Sequence, residues 1–131
     1  MQKFNFSLVT LFLFFFNLIF SQISPERVLY KSTDQADLNL FVYKPVDFDK
    51  SQTYSCIVFF HGGGWNSGDY KQFERQSIYF ASRGMVAFSV EYRIRNKHGT
   101  SPIEAMEDAK SAIRFIRSNA KLFSVNPNLI A

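Results

Sequence analysis

Apolar and polar positions along the chain predict strands and helices in alternation. Residues 38–43 alternate Leu, Leu and Val with Asn, Phe and Tyr, and Pro45 ends the run, so period two predicts a strand near a sheet edge. Residues 56–60 are continuously apolar, which predicts a strand with both faces buried in the middle of a helix-covered sheet. Residues 85–92 repeat the continuous pattern and predict the next buried strand.

Two helices are predicted between and after these strands. Residues 66–84 mix apolar and charged positions and stop at a glycine, so they predict a helix that completes a strand–helix–strand unit. Residues 102–120 carry the strongest signals, because Ser101 fits the N-cap, a proline opens the helix and Glu104 completes a capping box. The apolar spacing predicts one buried face formed by Met106, Ala109, Ile113, Ile116 and Ala120.

The last residues predict a turn and then a further strand. The turn is expected at Asn126-Pro127, and the apolar residues from Leu129 to Ala131 look like the start of the strand. The chain shows no internal repeat, low-complexity tract or second domain. The predicted fold class is therefore α/β, with a mostly parallel sheet flanked by helices.

The first 22 residues have the layout of a secretory signal peptide. Lys3 precedes an apolar run over residues 8–20, and the small or polar Ser21 and Gln22 follow it. The run is short against the ~20 residues that span a bilayer, and an asparagine interrupts it, so export is favoured over a membrane anchor. We expect cleavage near Ser21 or Gln22 and a secreted or periplasmic domain over residues 23–131. An uncleaved membrane anchor is the weaker alternative.

Composition, charge and cysteine count exclude several classes of function. The chain is 47% hydrophobic and 20% charged, as in a globular domain with a core. Its net charge is +4, but acidic and basic residues are interspersed along the chain. A nucleic-acid-binding surface would need Lys and Arg clustered on one face, so the sequence does not predict one. Cys56 is the only cysteine, so no intrachain disulfide is possible, and its apolar surroundings predict a buried structural thiol. His61 and His98 are far apart and no cluster has ligand spacing, so no metal or other cofactor is expected.

The candidate chemistry lies in FFHGGGW, residues 59–65. The three glycines follow a central strand and precede a helix, at the sheet edge where open α/β folds bind ligands. Without side chains, their backbone N–H groups can face the crevice, which suits an anion or a developing oxyanion. Neither G-x-G-x-x-G nor G-x-x-x-x-G-K-[ST] fits residues 61–71. A tight turn explains one or two glycines, so three in a row favour an oxyanion loop.

Three segments in this order resemble α/β-hydrolase esterases with an HGGG oxyanion loop. They are HGGGW at residues 61–65, EYR at residues 91–93, and P-x-x-x-x-x-D-x-x-x-A-I-R-x-I-R-x-N-A at residues 102–120. The chain is most similar to the secreted bacterial carbohydrate-esterase and acetyl-esterase-like branch, the BD-FAE-like proteins. The resemblance covers residues 26–131 and implies the N-terminal half of an α/β-hydrolase fold, cut before its nucleophile elbow.

The resemblance also implies roles for individual residues. In this family the HGGG amides stabilise the negative oxygen of the tetrahedral intermediate, which implies an oxyanion role for Gly63 and Gly64, with the Trp65 N–H contributing. Asp108 matches a helix aspartate of the family whose role is architectural. The residues expected to support the loop are His61, Gly62, Tyr92 and Arg93.

The catalytic triad of the family has no counterpart in this sequence. Its serine lies in G-x-S-x-G after the strand that begins at Leu129, followed by Asp or Glu and then His. The nearest string, GWNSG at residues 64–68, has its serine one place too late. We therefore expect the triad beyond Ala131, and the 131-residue chain alone to be inactive. Three other residues are poor candidates for the catalytic serine or histidine. Ser89 is predicted in a buried strand, Ser101 at a helix cap, and His98 in a polar connector at the surface or the rim of the active site.

Two functions of different classes follow. The first is an exported N-terminal part of a serine ester hydrolase, a carboxylic ester hydrolase that acts on acyl groups of a carbohydrate or another small ester. The alternative is a noncatalytic secreted α/β binding protein built on the half-fold, which would leave an exposed sheet edge prone to aggregation. Neither predicts a nucleic-acid partner or a stable membrane anchor. The acyl specificity and the oligomeric state are left open by the sequence.

Overall fold

Five strands form one mixed sheet in the computed structural model, which describes residues 23–131. The predicted signal segment lies outside the described residues. The strand order across the sheet is β1-β2-β4-β3-β5. The strands are β1 (Glu26–Ser32), β2 (Asp37–Tyr43), β3 (Tyr54–Phe60), β4 (Val86–Val90) and β5 (Val125–Ile130).

Four helices and one 3₁₀ turn connect or flank these strands in the described part of the chain. The 3₁₀ turn spans Tyr70–Phe73, and the carboxylate of Asp69 caps it by accepting from the Lys71 N–H at 2.8 Å. None of the helices is long and apolar enough to cross a membrane, among the residues described. The helices are α1 (Glu74–Ser82), α2 (Arg95–His98), α3 (Pro102–Ser118) and α4 (Ala120–Phe123).

The pairing of the strands confirms the α/β class and the predicted strand–helix–strand unit. β3 and β4 are parallel and are joined through the 3₁₀ turn and α1, while β5 pairs parallel on the other side of β3. β2 pairs antiparallel with both β1 and β4, so the N-terminal side of the sheet is antiparallel. The sheet is therefore mixed, with two parallel and two antiparallel pairings, and not mostly parallel as the sequence predicts. The predicted strand at residues 38–43 therefore lies next to the edge strand β1, which the sequence pattern did not reveal.

The alternation in β2 divides its side chains between two cores, as the period of two predicts. Leu38, Leu40 and Val42 join the cluster beneath α3 and α4, which also holds Phe88. Phe41 and Tyr43 join the opposite cluster beneath α1. Because both faces of β2 are covered, every residue from Leu38 to Tyr43 is buried.

Strand β3 does not have the fully covered faces that its apolar run predicts. Only Cys56 is fully buried, and the other six residues of the strand are half-buried. The helices explain this, because α1 packs mainly against β4 and α3 makes most of its strand contacts with β1. Neither helix lies squarely over β3, and parts of Phe59 and Phe60 stay accessible.

Helix α3 begins as predicted, but it presents a different face to the sheet. The Ser101 hydroxyl accepts from the Ile103 N–H at 3.3 Å, and the Glu104 carboxylate accepts from the Ser101 N–H at 2.8 Å, which confirms the capping box. Of the predicted face, Ile116 and Ala120 are buried, but Met106 is 52% exposed and Ala109 and Ile113 are partly exposed. The face that packs on the sheet consists of Ala105, Asp108, Ala112 and Ile116.

A charged residue explains the rotation of α3. Asp108 is completely buried because its carboxylate pairs with Arg93 and Lys31, so a polar position points inward. Met106, Ala109 and Ile113 then turn toward a groove beside Phe60 that no element of the described chain covers. Apolar spacing alone identified the helix but not which of its two apolar stripes meets the sheet.

Strand β5 starts four residues earlier than Leu129, at Val125. The predicted turn at Asn126-Pro127 lies inside it, where the Asn128 N–H donates to Oδ1 of Asn126 at 2.9 Å. Val125 lies opposite Tyr54 and Ile130 opposite Cys56, so the turn is accommodated as an irregularity in the pairing. The pairing continues to the last residue, since the Ala131 N–H donates to the Cys56 carbonyl at 3.0 Å.

Candidate active site

The glycine loop, residues 61–68, leaves the C-terminal end of β3 and leads to the 3₁₀ turn before α1. Its backbone is unusual, because Gly63 has φ +123°, Gly64 has φ +60° and Trp65 has φ +60°. Positive φ is accessible to glycine but uncommon for a residue with a side chain. The backbone conformation of Trp65 therefore has to be stabilised by contacts with other residues.

Two glycines are required by close packing within the loop. A Cβ at Gly63 would lie 2.0 Å from the Ser67 carbonyl oxygen, and a Cβ at Gly68 would lie 2.2 Å from Nδ1 of His61. The Gly63 carbonyl accepts from the N–H groups of Asn66 and Ser67, at 3.1 and 3.2 Å, and this closes the turn. Any side chain at these two positions would displace the loop.

Three consecutive backbone amides of the loop are free of protein partners. Within residues 23–131, the N–H groups of Gly63, Gly64 and Trp65 make no hydrogen bond. The preceding amide differs, because the Gly62 N–H donates to Oε1 of Gln72 at 2.5 Å. The three residues for which the sequence implies an oxyanion role are thus those whose donors remain available.

His61 is a buried anchor of the loop. It is 5% exposed, its ring stacks on Tyr92 with centroids 4.2 Å apart, and its Nδ1 donates to the Gly62 carbonyl at 2.9 Å. The Tyr92 hydroxyl donates to the backbone carbonyl of His61. Burial raises the pKa of Tyr92, so the phenol keeps the proton that it donates. The end of β4 and the end of β3 are joined at this point.

Arg93 lies beside the loop region but binds elsewhere. Its Nε and Nη2 donate to the two oxygens of Asp108 at 2.8 and 2.9 Å, and its backbone N–H donates to the same carboxylate at 3.1 Å. The Asp108 carboxylate also accepts from Lys31 Nζ at 2.6 Å, and Arg93 Nη1 donates to Oε1 of Gln35. Arg93 therefore fixes the segment after β4 to α3 and to the turn between β1 and β2, and none of these hydrogen bonds reaches the loop.

The same contacts set the ionisation of Asp108. Burial alone would raise the pKa of this carboxyl, but the hydrogen bonds from Arg93 and Lys31 outweigh burial and hold the pKa below its usual range. Asp108 is therefore ionised, and its carboxylate is paired with Arg93 and Lys31. This geometry agrees with the architectural role that the resemblance implies.

The sequence did not point to the donors that hold the far side of the loop. The Arg95 N–H donates to the Trp65 carbonyl at 2.9 Å, and the Asn96 N–H donates to the Asn66 carbonyl at 3.0 Å. Both donors are backbone groups in α2, so their side chains carry no signal of this role. Gln72, which binds the Gly62 amide, lies in the 3₁₀ turn and gave no pattern either.

A cavity of about 160 Å³ adjoins the glycine loop. Its walls are mainly apolar and come from the end of β3, the loop, Tyr92 after β4 and the first half of α3. Trp65 is 49% exposed at this position. The lining residues are Phe60, His61, Trp65, Tyr92, Ala105, Met106 and Ala109.

The remaining candidate groups occupy structural positions. The Ser89 hydroxyl is buried and donates to the Tyr70 carbonyl at 2.6 Å, and Ser101 caps α3. Burial raises the pKa of the Cys56 thiol to about 11, which disfavours the thiolate. His98 is half-buried at the end of α2. No group of three or more His, Cys, Asp or Glu side chains that could hold a metal occurs among residues 23–131.

The mixed sheet, the βαβ unit and a glycine loop at the end of β3 define a protein of the α/β-hydrolase type. The chain belongs to the BD-FAE family, whose model matches residues 40–131. It is also similar to esterase 2 from Thermogutta terrifontis, with 45% identity and a TM-score of 0.80 for the propionate-bound structure. That match covers 82% of this chain and 39% of the esterase. The predicted esterase resemblance is confirmed at the level of family and fold.

Two curated proteins of Caenorhabditis elegans are related more distantly. Neuroligin-like protein glit-1 is 29% identical over 104 residues, which cover 74% of this chain and 14% of that protein. Gut esterase 1 is 29% identical over 102 residues, which cover 71% of this chain and 18% of that protein. The chain thus spans less than a fifth of these relatives and about two fifths of the bacterial esterase.

Proposed function

We propose that this chain supplies the oxyanion-binding part of a serine ester hydrolase. The N–H groups of Gly63, Gly64 and Trp65 would bind the negative oxygen of the tetrahedral intermediate. The observation that carries this proposal is the run of three free amides in a loop that close packing and external hydrogen bonds hold in place. Membership of the BD-FAE family and similarity to esterases support it.

The proposed reaction uses groups outside residues 1–131. A serine in G-x-S-x-G would attack the ester carbonyl with a histidine as base, the alcohol would leave, and water would then hydrolyse the acyl-enzyme. The carbonyl oxygen gains negative charge in both steps, and the glycine loop would stabilise it both times. The chain alone is accordingly proposed to be inactive, since it contains no G-x-S-x-G serine.

We propose a short acyl ester, including an acetylated carbohydrate, as the substrate of the longer protein. The cavity of about 160 Å³ beside the loop has apolar walls from Phe60, Trp65 and Met106, which suit a small acyl group. Structures of the Thermogutta esterase contain bound propionate and butyrate, and these are short acids of the same kind.

Export is a separate proposal, based on the sequence of residues 1–22. The charged start, short apolar run and small or polar end are typical of a signal peptide, which would place the protein outside the cytoplasm. N-terminal sequencing of the exported product tests this. A new N-terminus near Ile23 is expected, and a protein that keeps Met1 in the membrane fraction would contradict it.

The oxyanion role is tested by Gly63→Ala in the longer protein, with hydrolysis of p-nitrophenyl acetate as the assay. The new Cβ would meet the Ser67 carbonyl oxygen 2.0 Å away and displace the free amides. Loss of one oxyanion donor lowers kcat by roughly 10²–10³ in other acyl-transfer enzymes, and a similar loss is expected here. Gly84→Ala is the control, because Gly84 also has positive φ but meets no atom within 4 Å and lies at the end of α1.

A kcat within about threefold of the parent for Gly63→Ala would contradict the proposed role, given the size of a lost donor. The serine mechanism is tested separately with paraoxon, which phosphorylates the Thermogutta esterase. We expect the longer protein to gain a covalent phosphoryl group and to lose activity. A protein that hydrolyses esters and remains unmodified would exclude a reactive serine.

The second candidate is the noncatalytic secreted binding protein, built on the same half-fold, that the sequence left open. Expression of residues 23–131 distinguishes the two. A soluble monomer that unfolds cooperatively would support the binding protein. Insoluble product would support the hydrolase, because the half-covered β3 and the open groove along α3 would then need further chain to bury them.

A further inference from the structure

His98 closes the turn that follows β4. It is the last residue of α2, and its Nδ1 accepts a hydrogen bond from the Ile94 N–H at 2.9 Å. In return, the His98 N–H donates to the Ile94 carbonyl at 2.9 Å. The ring is half-buried, and an accepting Nδ1 must carry no proton. The turn therefore depends on the neutral form of this histidine with its proton on Nε2.

The same turn holds the unusual backbone of the glycine loop. Arg95 and Asn96, which lie between Ile94 and His98, donate their backbone N–H groups to the carbonyls of Trp65 and Asn66 at 2.9 and 3.0 Å. Trp65 has φ +60°, and a residue with a side chain keeps such a conformation only where its surroundings impose it. Three hydrogen bonds thus connect the ring of His98 with the backbone next to the free amides.

We propose that His98 is a positioning residue for the glycine loop, and that protonation of its Nδ1 releases the loop. A protonated Nδ1 is a donor and cannot accept from Ile94, so the turn opens and the hold on the Trp65 carbonyl is lost. The value of this arrangement to catalysis rests on the proposed oxyanion function. The link between His98 and the loop does not, because it consists only of contacts in the described chain.

The surroundings of His98 favour the neutral ring near pH 7. Burial lowers the pKa of His98 from its ordinary 6.5, and the charge of Lys97 lowers it further. The backbone contact with Ile94 and the charge of Glu91 act in the opposite direction, but burial and Lys97 outweigh them. The loop is therefore held at neutral pH and released in acid, as the pH falls below about 6.5. The titratable or charged groups around the ring, including those lining the small cavity it shares with the loop, are His61, Asp69, Tyr70, Glu91, Tyr92, Arg93 and Lys97.

The test uses Trp65, the only tryptophan within residues 1–131, as a reporter within the loop. Its emission is recorded from pH 8 to pH 5 in the longer protein, with any tryptophan outside these residues replaced by phenylalanine, and in two variants of it. His98→Asn keeps an acceptor at the δ position but does not titrate, and His98→Leu removes the acceptor. We expect a step in emission below pH 6.5 for the parent, complete loss of that step with parent-like emission for His98→Asn, and acid-like emission throughout for His98→Leu.

Two results would overturn the proposal. One is a pH step that persists in His98→Asn, since a group other than His98 would then control the loop. The other is parent-like Trp65 emission in His98→Leu at pH 8. If His98→Leu does not fold, the step in His98→Asn decides alone. The fluorescence test uses no substrate, so its result does not depend on catalysis. If the expected titration is seen but the protein hydrolyses no ester, the proposed function is disproved and the role of His98 stands.

Discussion

Replacement of Asp108 by asparagine tests the buried ion pair that fixes α3 to the sheet. The Asp108 side chain is 0% exposed, and it accepts hydrogen bonds from Arg93, at three donor atoms, and from Lys31. Asn keeps the volume of Asp but removes the charge and replaces one acceptor oxygen with a donor group. Arg93, whose side chain is 9% exposed, is left with a buried charge and no carboxylate among its hydrogen-bond partners.

The expected loss of stability is large for a single atom change. Removal of one partner from a buried ion pair costs about 3–5 kcal/mol, because the remaining charge stays desolvated. Lys31 is 26% exposed and can turn toward water, so the loss arises mainly from Arg93. Domains of this kind unfold with only about 5–15 kcal/mol, so Asp108→Asn removes a substantial part of the total.

The contribution of Asp108 also has a defined pH dependence. Its pKa in the folded chain is lower than in the unfolded chain, so the ion pair contributes its full stability above the ordinary aspartate pKa of about 3.9. That contribution declines as the pH falls through the lower folded pKa. The difference in unfolding free energy between parent and Asp108→Asn should therefore be constant near neutral pH and shrink below about pH 4.

Urea unfolding of the longer protein, followed by far-ultraviolet circular dichroism, measures this difference. Glu107→Gln is the matched control, because Glu107 is the preceding residue of α3, is exposed and has no ion pair in the described chain. We expect the control to change the unfolding free energy by less than about 0.5 kcal/mol. Equal changes in unfolding free energy for Asp108→Asn and Glu107→Gln would refute the claim that the buried ion pair of Asp108 stabilises the fold.

Three further outcomes follow from the structure. Gly68→Ala should destabilise the chain by more than the roughly 1 kcal/mol expected for Gly84→Ala in thermal unfolding, because its Cβ would lie 2.2 Å from Nδ1 of His61; equal losses would contradict the close packing. Cys56, with a buried thiol of pKa about 11, should react with Ellman's reagent at pH 8 only after denaturation, and rapid reaction of the folded chain would contradict its burial. Ser101→Ala should cost about 1 kcal/mol in urea unfolding through loss of the α3 cap, whereas an unchanged midpoint would show that the cap contributes nothing.

Local signals in the sequence predicted the elements well. The capping box at Ser101, the alternation in β2 and the glycine at the end of α1 each depend on neighbouring residues, and each is present in the structure. The βαβ unit follows from the order of these elements. Such features are encoded within a few residues, and a single sequence is enough to recognise them.

Features that depend on the partner of an element were predicted less well. The stripe of α3 that meets the sheet is set by the pairing of Asp108 with Arg93, which lies on a different element. The incomplete cover of β3 depends on where two helices pack. At the candidate site, the sequence indicated the glycines and His61, but the donors from Arg95 and Asn96 are backbone groups whose side chains carry no such information.

The reading frame downstream of Ala131 tests the central claim most directly. If the free amides of Gly63, Gly64 and Trp65 serve an ester hydrolase, sequencing of the transcript should show the frame continuing into G-x-S-x-G within about 15 residues, as the family layout requires. An Asp or Glu codon and then a His codon should follow. A stop codon directly after Ala131, confirmed in the transcript, would contradict the claim that this chain forms half of a hydrolase active site.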